Sequence, residues 1–87
     1  MTNYYSGHVQ GVGFRYAVKS AALGFEVTGT VRNTSDGRVE LIAEGQKSEL
    51  ESFQQAIRDS EVGGAIRQEQ VTWTDPSNAF RGFEIVR

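Results

Sequence analysis

The chain is short, weakly acidic and free of cysteine. Its 87 residues suit one core and one domain over residues 1–87. A chain of this length buries roughly 60–65% of its unfolded surface, which is enough to fold without a disulfide. The lack of cysteine excludes thiol catalysis, iron–sulfur clusters and cysteine-rich zinc sites. With a single histidine, His8, no resident metal or cofactor is expected.

The net charge of −2 divides into +1 over residues 1–40 and −3 over residues 41–87. No strongly basic region therefore predicts a nucleic-acid partner. No apolar run approaches the roughly 20 residues that span a bilayer, and the N-terminus lacks the pattern of a signal peptide. We expect a cytoplasmic monomer without membrane or nucleic-acid partners, whose charge is still compatible with a local site for a small anion.

The first predicted elements are a strand, a loop and a helix. The segment from Thr2 to His8 is short and rich in tyrosine, which favours a strand. Gly11-Val12-Gly13 indicates a loop, and apolar residues then recur at helical spacing from Phe14 or Arg15 until Gly24.

A hairpin and a second helix follow. Residues 27–34 and 38–44 alternate apolar and polar residues around Ser35-Asp36-Gly37, which predicts two antiparallel strands. Ser48 with Glu51 fits a capping box for a helix that runs to about Ser60.

The last segments, 66–75 and 82–87, read as strands on either side of a Pro-containing turn, with a bulge or a late start near Ile66. The element order β-α-β-β-α-β, with a short extra strand, predicts an α+β, ferredoxin-like split βαβ sandwich. In it an antiparallel sheet carries two helices on one face. We expect the first and third elements to be adjacent. This fold supports many functions and decides none.

The loop before the first helix is the main candidate site. Its glycines allow backbone N–H groups to converge on an anion beside a helix N-terminus, although a plain tight turn is the alternative. It is neither a P-loop nor a dinucleotide fingerprint, because Gly-Lys-Ser/Thr is absent and Tyr16 replaces the third glycine. The predicted phosphate-binding residues are Val9, Gln10, Gly11, Val12, Gly13, Phe14 and Arg15.

Arg15 and Asn33 are the candidate side chains. An arginine in the first turn of a helix is unfavourable by a few tenths of a kcal/mol unless an anion binds there, and its guanidinium can hold a phosphate with two parallel hydrogen bonds. Asn33 ends a predicted strand, where it either reaches the loop or caps its own turn.

Other polar and aromatic residues have ordinary interpretations. His8 is predicted to flank the loop in solvent. Trp73, Phe80 and Phe83 are predicted to be core residues. The acidic residues near the second helix form a solvated face without a catalytic carboxylate pair.

Three motifs resemble the acylphosphatase family in type, order and spacing. They are Gly7-His8-Val9-Gln10-Gly11-Val12-Gly13-Phe14-Arg15, then Gly29 to Glu40, then Phe80-Arg81-Gly82-Phe83-Glu84-Ile85. The resemblance implies a ferredoxin-like hydrolase acting on acid anhydrides, which cleaves acyl phosphates without a metal into a carboxylate and inorganic phosphate. It also implies that Arg15 binds the phosphate and Asn33 orients the attacking water, with inorganic phosphate as product and inhibitor.

Two residues depart from the family pattern, and two other functions stay open. Thr30 stands where an aromatic residue is common, and Glu26 where a turn glycine is common. A non-catalytic anion-binding module would also use the loop and Arg15. An RNA-binding module would need aromatic residues on the central strands and a basic field.

Overall fold

The computed structural model describes all 87 residues as five strands, two α-helices and one 3₁₀ turn. In chain order these are β1 (Thr2–Gly7), α1 (Phe14–Ala22), β2 (Thr28–Asn33), β3 (Val39–Glu44), α2 (Lys47–Asp59), the 3₁₀ turn Gly63–Ala65, β4 (Ile66–Thr72) and β5 (Phe83–Ile85). The predicted element order is confirmed. Neither helix has the length and apolar character needed to cross a membrane.

The sheet has the order β4-β1-β3-β2-β5 and is mixed. The first four strands pair antiparallel, as predicted, whereas β5 pairs parallel with β2, so the sheet departs from the predicted antiparallel pairing only at this edge. Strand β5 is parallel because residues 73–82 carry the chain from β4 at one edge of the sheet to β5 at the other edge. The Glu44 carboxylate holds this crossing by accepting hydrogen bonds from Ser77 and Asn78.

The predicted adjacency of the first and third elements is wrong. Strands β1 and β2 do not pair with each other, because β3 lies between them. Both run antiparallel to β3, so their carboxyl ends still lie at the same end of the sheet. Strands β1 and β2 also have the same register against β3, since Tyr5 and Asn33 are both paired with Val39. This end of the sheet carries the candidate site.

The core lies between the sheet and the helices. Apolar residues of α1 and α2 pack against the buried side chains of β1, β2 and β3. Phe53 of α2 occupies its centre, with ring centroids 5.9 Å from Phe25 and 5.7 Å from Phe83. Aromatic packing of this kind adds about 0.5–1.5 kcal/mol per pair to the apolar burial.

Several local predictions need correction. Helix α2 begins at Lys47 after Gln46, and no side chain caps it, so the capping box at Ser48 does not form. Glu49 instead accepts a hydrogen bond from the backbone N–H of Glu26. Strand β4 ends at Thr72, and its pairing with β1 shifts next to Ile66, which confirms the expected irregularity there.

Two of the three predicted core aromatics, Trp73 and Phe80, lie in the crossing segment. Trp73 is 43% exposed, and its ring lies 5.2 Å from the Lys47 ammonium. Phe80 is only half-buried. Phe83 alone packs against the core, through Phe53. The core prediction is therefore wrong for Trp73 and Phe80, because β4 stops before Trp73 and Phe80 lies in the crossing segment outside the core cluster.

Replacing Phe53 by alanine is expected to lower the free energy of unfolding by about 3–5 kcal/mol, because a fully buried ring is lost from the centre of the core. Urea denaturation measures this loss. Ser52→Ala, an exposed neighbour on α2, should change stability by less than about 0.5 kcal/mol. Equal stabilities for the two variants would contradict the assignment of Phe53 to the core.

Candidate functional site

The loop between β1 and α1 has a defined backbone conformation. Gly11 has φ 80° and Gly13 has φ 78°, both in the left-handed region. A Cβ atom at either position would meet nothing within 4 Å, so conformation and not crowding favours glycine. Left-handed residues next to helical ones turn successive N–H groups toward one side, which forms an anion-binding concavity.

The N-terminus of α1 opens into this loop without a cap. Gly13 occupies the cap position with no side-chain hydrogen bond, and the first turn contains no acidic residue. The hydrogen bond from Ala17 N–H to the Gly13 carbonyl, 3.0 Å long, is the first of the helix. The preceding amides therefore have no acceptor within the helix, and the positive end of the helix dipole adds to them.

Buried residues fix the loop at both ends. Val9 and Phe14 are 1% exposed, and the Phe14 ring lies 5.1 Å from the ring of Tyr5 in β1. The backbone N–H of His8 donates to the Ala65 carbonyl at 3.0 Å. The loop thus starts and ends on the core while its middle, residues 10–13, is exposed.

Arg15 is half-buried in the first turn of α1. Its guanidinium forms no ion pair, whereas Arg32, Arg38 and Arg58 each pair with a carboxylate. A cation at this end of a helix is disfavoured by the dipole. The guanidinium is therefore uncompensated by protein groups and suited to an anion held by the adjacent loop amides.

Asn33 ends β2 with its side chain on the same face of the sheet as the buried Val31, which is the face that carries the helices. Its Oδ1 atom is buried and has no hydrogen-bond partner. An unpartnered buried amide oxygen costs about 1–3 kcal/mol. The side chain is therefore available for a group that the protein itself does not supply.

The alternative role for Asn33, capping its own turn, is not observed. Thr34 closes the turn instead, with its N–H donating to the Arg38 carbonyl at 2.8 Å and its Oγ1 accepting from Arg38 N–H at 3.1 Å. The Thr34 hydroxyl also donates to the Asp36 carboxylate. This bond, together with those from Arg38, holds the pKa of Asp36 below its usual value.

The Gln10 side chain joins the loop to this turn. Its Nε2 donates to the carbonyl oxygens of Thr34 and Arg38, both at 2.9 Å. Because β3 separates β1 from β2, the strand ends lie about 10 Å apart, and Gln10 spans that gap. The sequence placed Gln10 in the anion loop but carried no signal for this bridge, since both acceptors are backbone carbonyls.

His8 flanks the loop in solvent, as expected, with its Nε2 3.5 Å from an Arg67 guanidinium nitrogen. No group of three or more His, Asp or Glu side chains in the chain is arranged to hold a metal ion. The groups at this end of the sheet that no other protein group engages include the amides at the start of α1, the Arg15 guanidinium and the Asn33 carboxamide oxygen. Such a set can bind an anion and orient a water molecule.

A family model, curated relatives and a solved structure all relate this chain to one family. The family model described as Acylphosphatase matches residues 1–85. An acylphosphatase of Salinibacter ruber is 43% identical over 82 residues, which cover 94% of this chain and 86% of that protein. One of Thermobifida fusca is 38% identical over 84 residues, covering 97% and 92%. The crystal structure of acylphosphatase from Bacillus subtilis aligns over 100% of both chains, with 37% identity and a TM-score of 0.86.

Gln10→Ala should loosen the exposed part of the loop, because it removes both hydrogen bonds to the turn. We expect the ¹⁵N order parameters of residues 11–13 to fall from about 0.85 to about 0.6. The matched control is Gln55→Ala, which removes a hydrogen bond to Asp59 on the surface of α2. Unchanged order parameters in Gln10→Ala would show that the buried loop ends alone hold its conformation.

Proposed function

The chain belongs to the acylphosphatase family, and we propose that its 9–15 loop and Arg15 bind the phosphoryl group of the substrate while Asn33 orients the attacking water. As a member of this family it is a hydrolase acting on acid anhydrides, which cleaves the carboxyl–phosphate bond of acyl phosphates. The observation that carries the proposal is the placement of two unpartnered groups, the Arg15 guanidinium and Asn33 Oδ1, at the end of the sheet where α1 begins uncapped.

Phosphate binding follows from the loop and Arg15 together. The loop amides and the start of α1 direct positive partial charge at one point, and the guanidinium supplies a full charge with a planar pair of donors. An anion there reverses the unfavourable interaction of Arg15 with the helix dipole. A phosphoryl group, with three peripheral oxygens, matches this combination of donors.

The chemistry needs no acid, base or metal from the protein. An acyl phosphate is a mixed anhydride, so its carboxylate leaves without protonation, and catalysis rests on positioning and charge stabilisation. Asn33 holds a water in line with the scissile P–O bond. The water oxygen bonds to phosphorus, the bond to the carboxylate oxygen breaks, and the water proton passes to a phosphoryl oxygen.

An RNA-binding role lacks the surface that it needs. The one aromatic ring on the outer face of β1 is Tyr4, whose hydroxyl donates to Glu40 at 2.7 Å. The Arg38 guanidinium lies over that ring at 4.5 Å. Since the ring is already covered and the net charge is −2, the sheet offers neither a stacking platform nor a basic field.

The domain organisation, oligomeric state, cellular location and inhibition by phosphate are also predicted from the sequence. We propose that residues 1–87 act as one acylphosphatase-like domain, as a monomer and in the cytoplasm. We also propose that inorganic phosphate, as the product and an anion, binds the loop and inhibits hydrolysis competitively.

Purified protein is expected to release inorganic phosphate from benzoyl phosphate at the same rate with and without EDTA, because no step uses a metal. It should leave an alkyl phosphate monoester such as glycerol 3-phosphate intact, since an alkoxide is a much poorer leaving group than a carboxylate. Phosphate release measured against time tests both statements. Restoration of activity by a divalent cation after chelation would contradict the mechanism, and binding of phosphate without any hydrolysis would favour the anion-binding module.

Replacing Arg15 and replacing Asn33 are expected to affect phosphate affinity and kcat differently. Arg15→Lys keeps the charge but loses the planar pair of donors, so both the affinity for inorganic phosphate and kcat should fall by about tenfold or more. Asn33→Ala should keep phosphate affinity while kcat falls by roughly a hundredfold, because the water is no longer positioned. The inhibition constant of phosphate and kcat for benzoyl phosphate separate the two effects.

Two controls complete this comparison. Arg81→Lys, an exposed arginine without an ion pair, should leave both quantities unchanged. Asn33→Asp adds a negative charge beside the phosphoryl group and should be no more active than Asn33→Ala. A folded Asn33→Ala protein with wild-type kcat would remove Asn33 from the mechanism.

A further inference from the structure

A groove of about 520 Å³ lies between the phosphate loop, one flank of α1 and the segment that follows α2. Its wall includes Val12, Gly13, Ala17, Ala21, Glu61 and Val62. We propose that this groove receives the acyl group of the substrate and selects uncharged acyl groups over negatively charged ones. The inference rests on the proposed function and extends it to the part of the substrate that is not phosphate.

The groove is continuous with the loop that we assign to phosphate. Val12 and Gly13 belong to the loop and to the groove wall at once. Val12 is 50% exposed, so an apolar side chain stands beside the proposed phosphoryl position without a protein partner that covers it. An acyl group bonded to a phosphoryl group in the loop is therefore within reach of this wall.

The direction of the reaction also favours the groove. The attacking and leaving oxygens of a phosphoryl transfer lie roughly in line on opposite sides of phosphorus. The side chains of Arg15 and Ala17 point about 160° apart around the axis of α1. Because Ala17 lines the groove, the groove lies on the flank of α1 away from Arg15. With Asn33 assigned to the water, an acyl group that leaves on the side away from Arg15 and Asn33 lies along the Ala17 flank of α1, which forms one wall of the groove.

The wall chemistry predicts which acyl groups are accepted. Val12, Ala17, Ala21 and Val62 offer apolar surface, and burying a benzoyl ring against it is favourable by about 25 cal/mol per Å². Glu61 is the one charged residue of the wall, and it forms no ion pair. Its carboxylate therefore repels an acyl group that carries a second negative charge.

The test compares benzoyl phosphate with 4-carboxybenzoyl phosphate, which adds a rigid carboxylate that cannot attack the anhydride. Glu61→Lys is expected to raise the ratio of kcat/KM for the carboxylated substrate to that for benzoyl phosphate by about fivefold at low salt, and less at 1 M salt. The ratio within one protein cancels any general effect on phosphate binding, and its comparison with the wild-type ratio cancels the intrinsic reactivity of the two substrates.

Glu51→Lys is the matched control, since it makes the same change of net charge on an exposed residue of α2 that is not part of the groove wall. Its substrate ratio should stay within about twofold of the wild type. Equal ratios in Glu61→Lys and Glu51→Lys would overturn the groove assignment, because the charge of Glu61 would then act only through the field of the whole protein.

A steric variant provides an independent readout. Ser20→Trp on the groove wall should lower kcat/KM for benzoyl phosphate by about tenfold, as the ring loses its apolar contact. Acetyl phosphate, whose acyl group is too short to extend along the groove, should change by less than about twofold, and phosphate inhibition should be unaffected. Equal losses for both substrates would overturn the inference. Failure of the wild type to hydrolyse either substrate would instead overturn the proposed function itself.

Discussion

The bridge from Gln10 to the β2–β3 turn is the interaction on which the candidate site depends. The sheet order places β3 between the strand that leads into the loop and the strand that ends at Asn33. The loop therefore has to cross the end of β3, and the two hydrogen bonds from Gln10 Nε2 hold it there. The proposed roles of Arg15 and Asn33 require both groups to face one phosphoryl group. The bridge from Gln10 holds the loop that leads to Arg15 next to the strand end that bears Asn33.

The same site lowers the stability of the free protein. Arg15 stands at the positive end of α1, and Asn33 Oδ1 is buried without a partner. The position of Arg15 at the helix start is unfavourable by a few tenths of a kcal/mol, and no protein group donates to Asn33 Oδ1, so an anion with its attacking water would compensate both features. The aromatic packing around Phe53, away from the loop, supplies stability that these groups do not.

Local signals in the sequence predicted most of the fold and the candidate site, and non-local pairing was the part that they missed. The glycines before Phe14 and the turn Ser35-Asp36-Gly37 each act over a few residues, so the loop and the hairpin were predictable. The parallel β5 and the exposure of Trp73 depend on where residues 73–82 cross the molecule. That path is set by Glu44 binding backbone groups far along the chain, which no periodicity reveals.

Arg32, the residue before Asn33 in β2, helps to keep the Asn33 side chain on the inner face of the sheet. Strand residues alternate faces, so Arg32 lies on the outer face, where it donates to Glu40 at 2.8 Å. Its hydrogen bond, with that of Tyr4, holds the pKa of Glu40 below its usual value, so the carboxylate stays ionised until the pH falls through that lowered pKa. A slip of one residue would exchange the two faces, burying Arg32 and exposing Asn33. The Arg32–Glu40 pair on the outer face therefore opposes a slip that would turn Asn33 away from the candidate site.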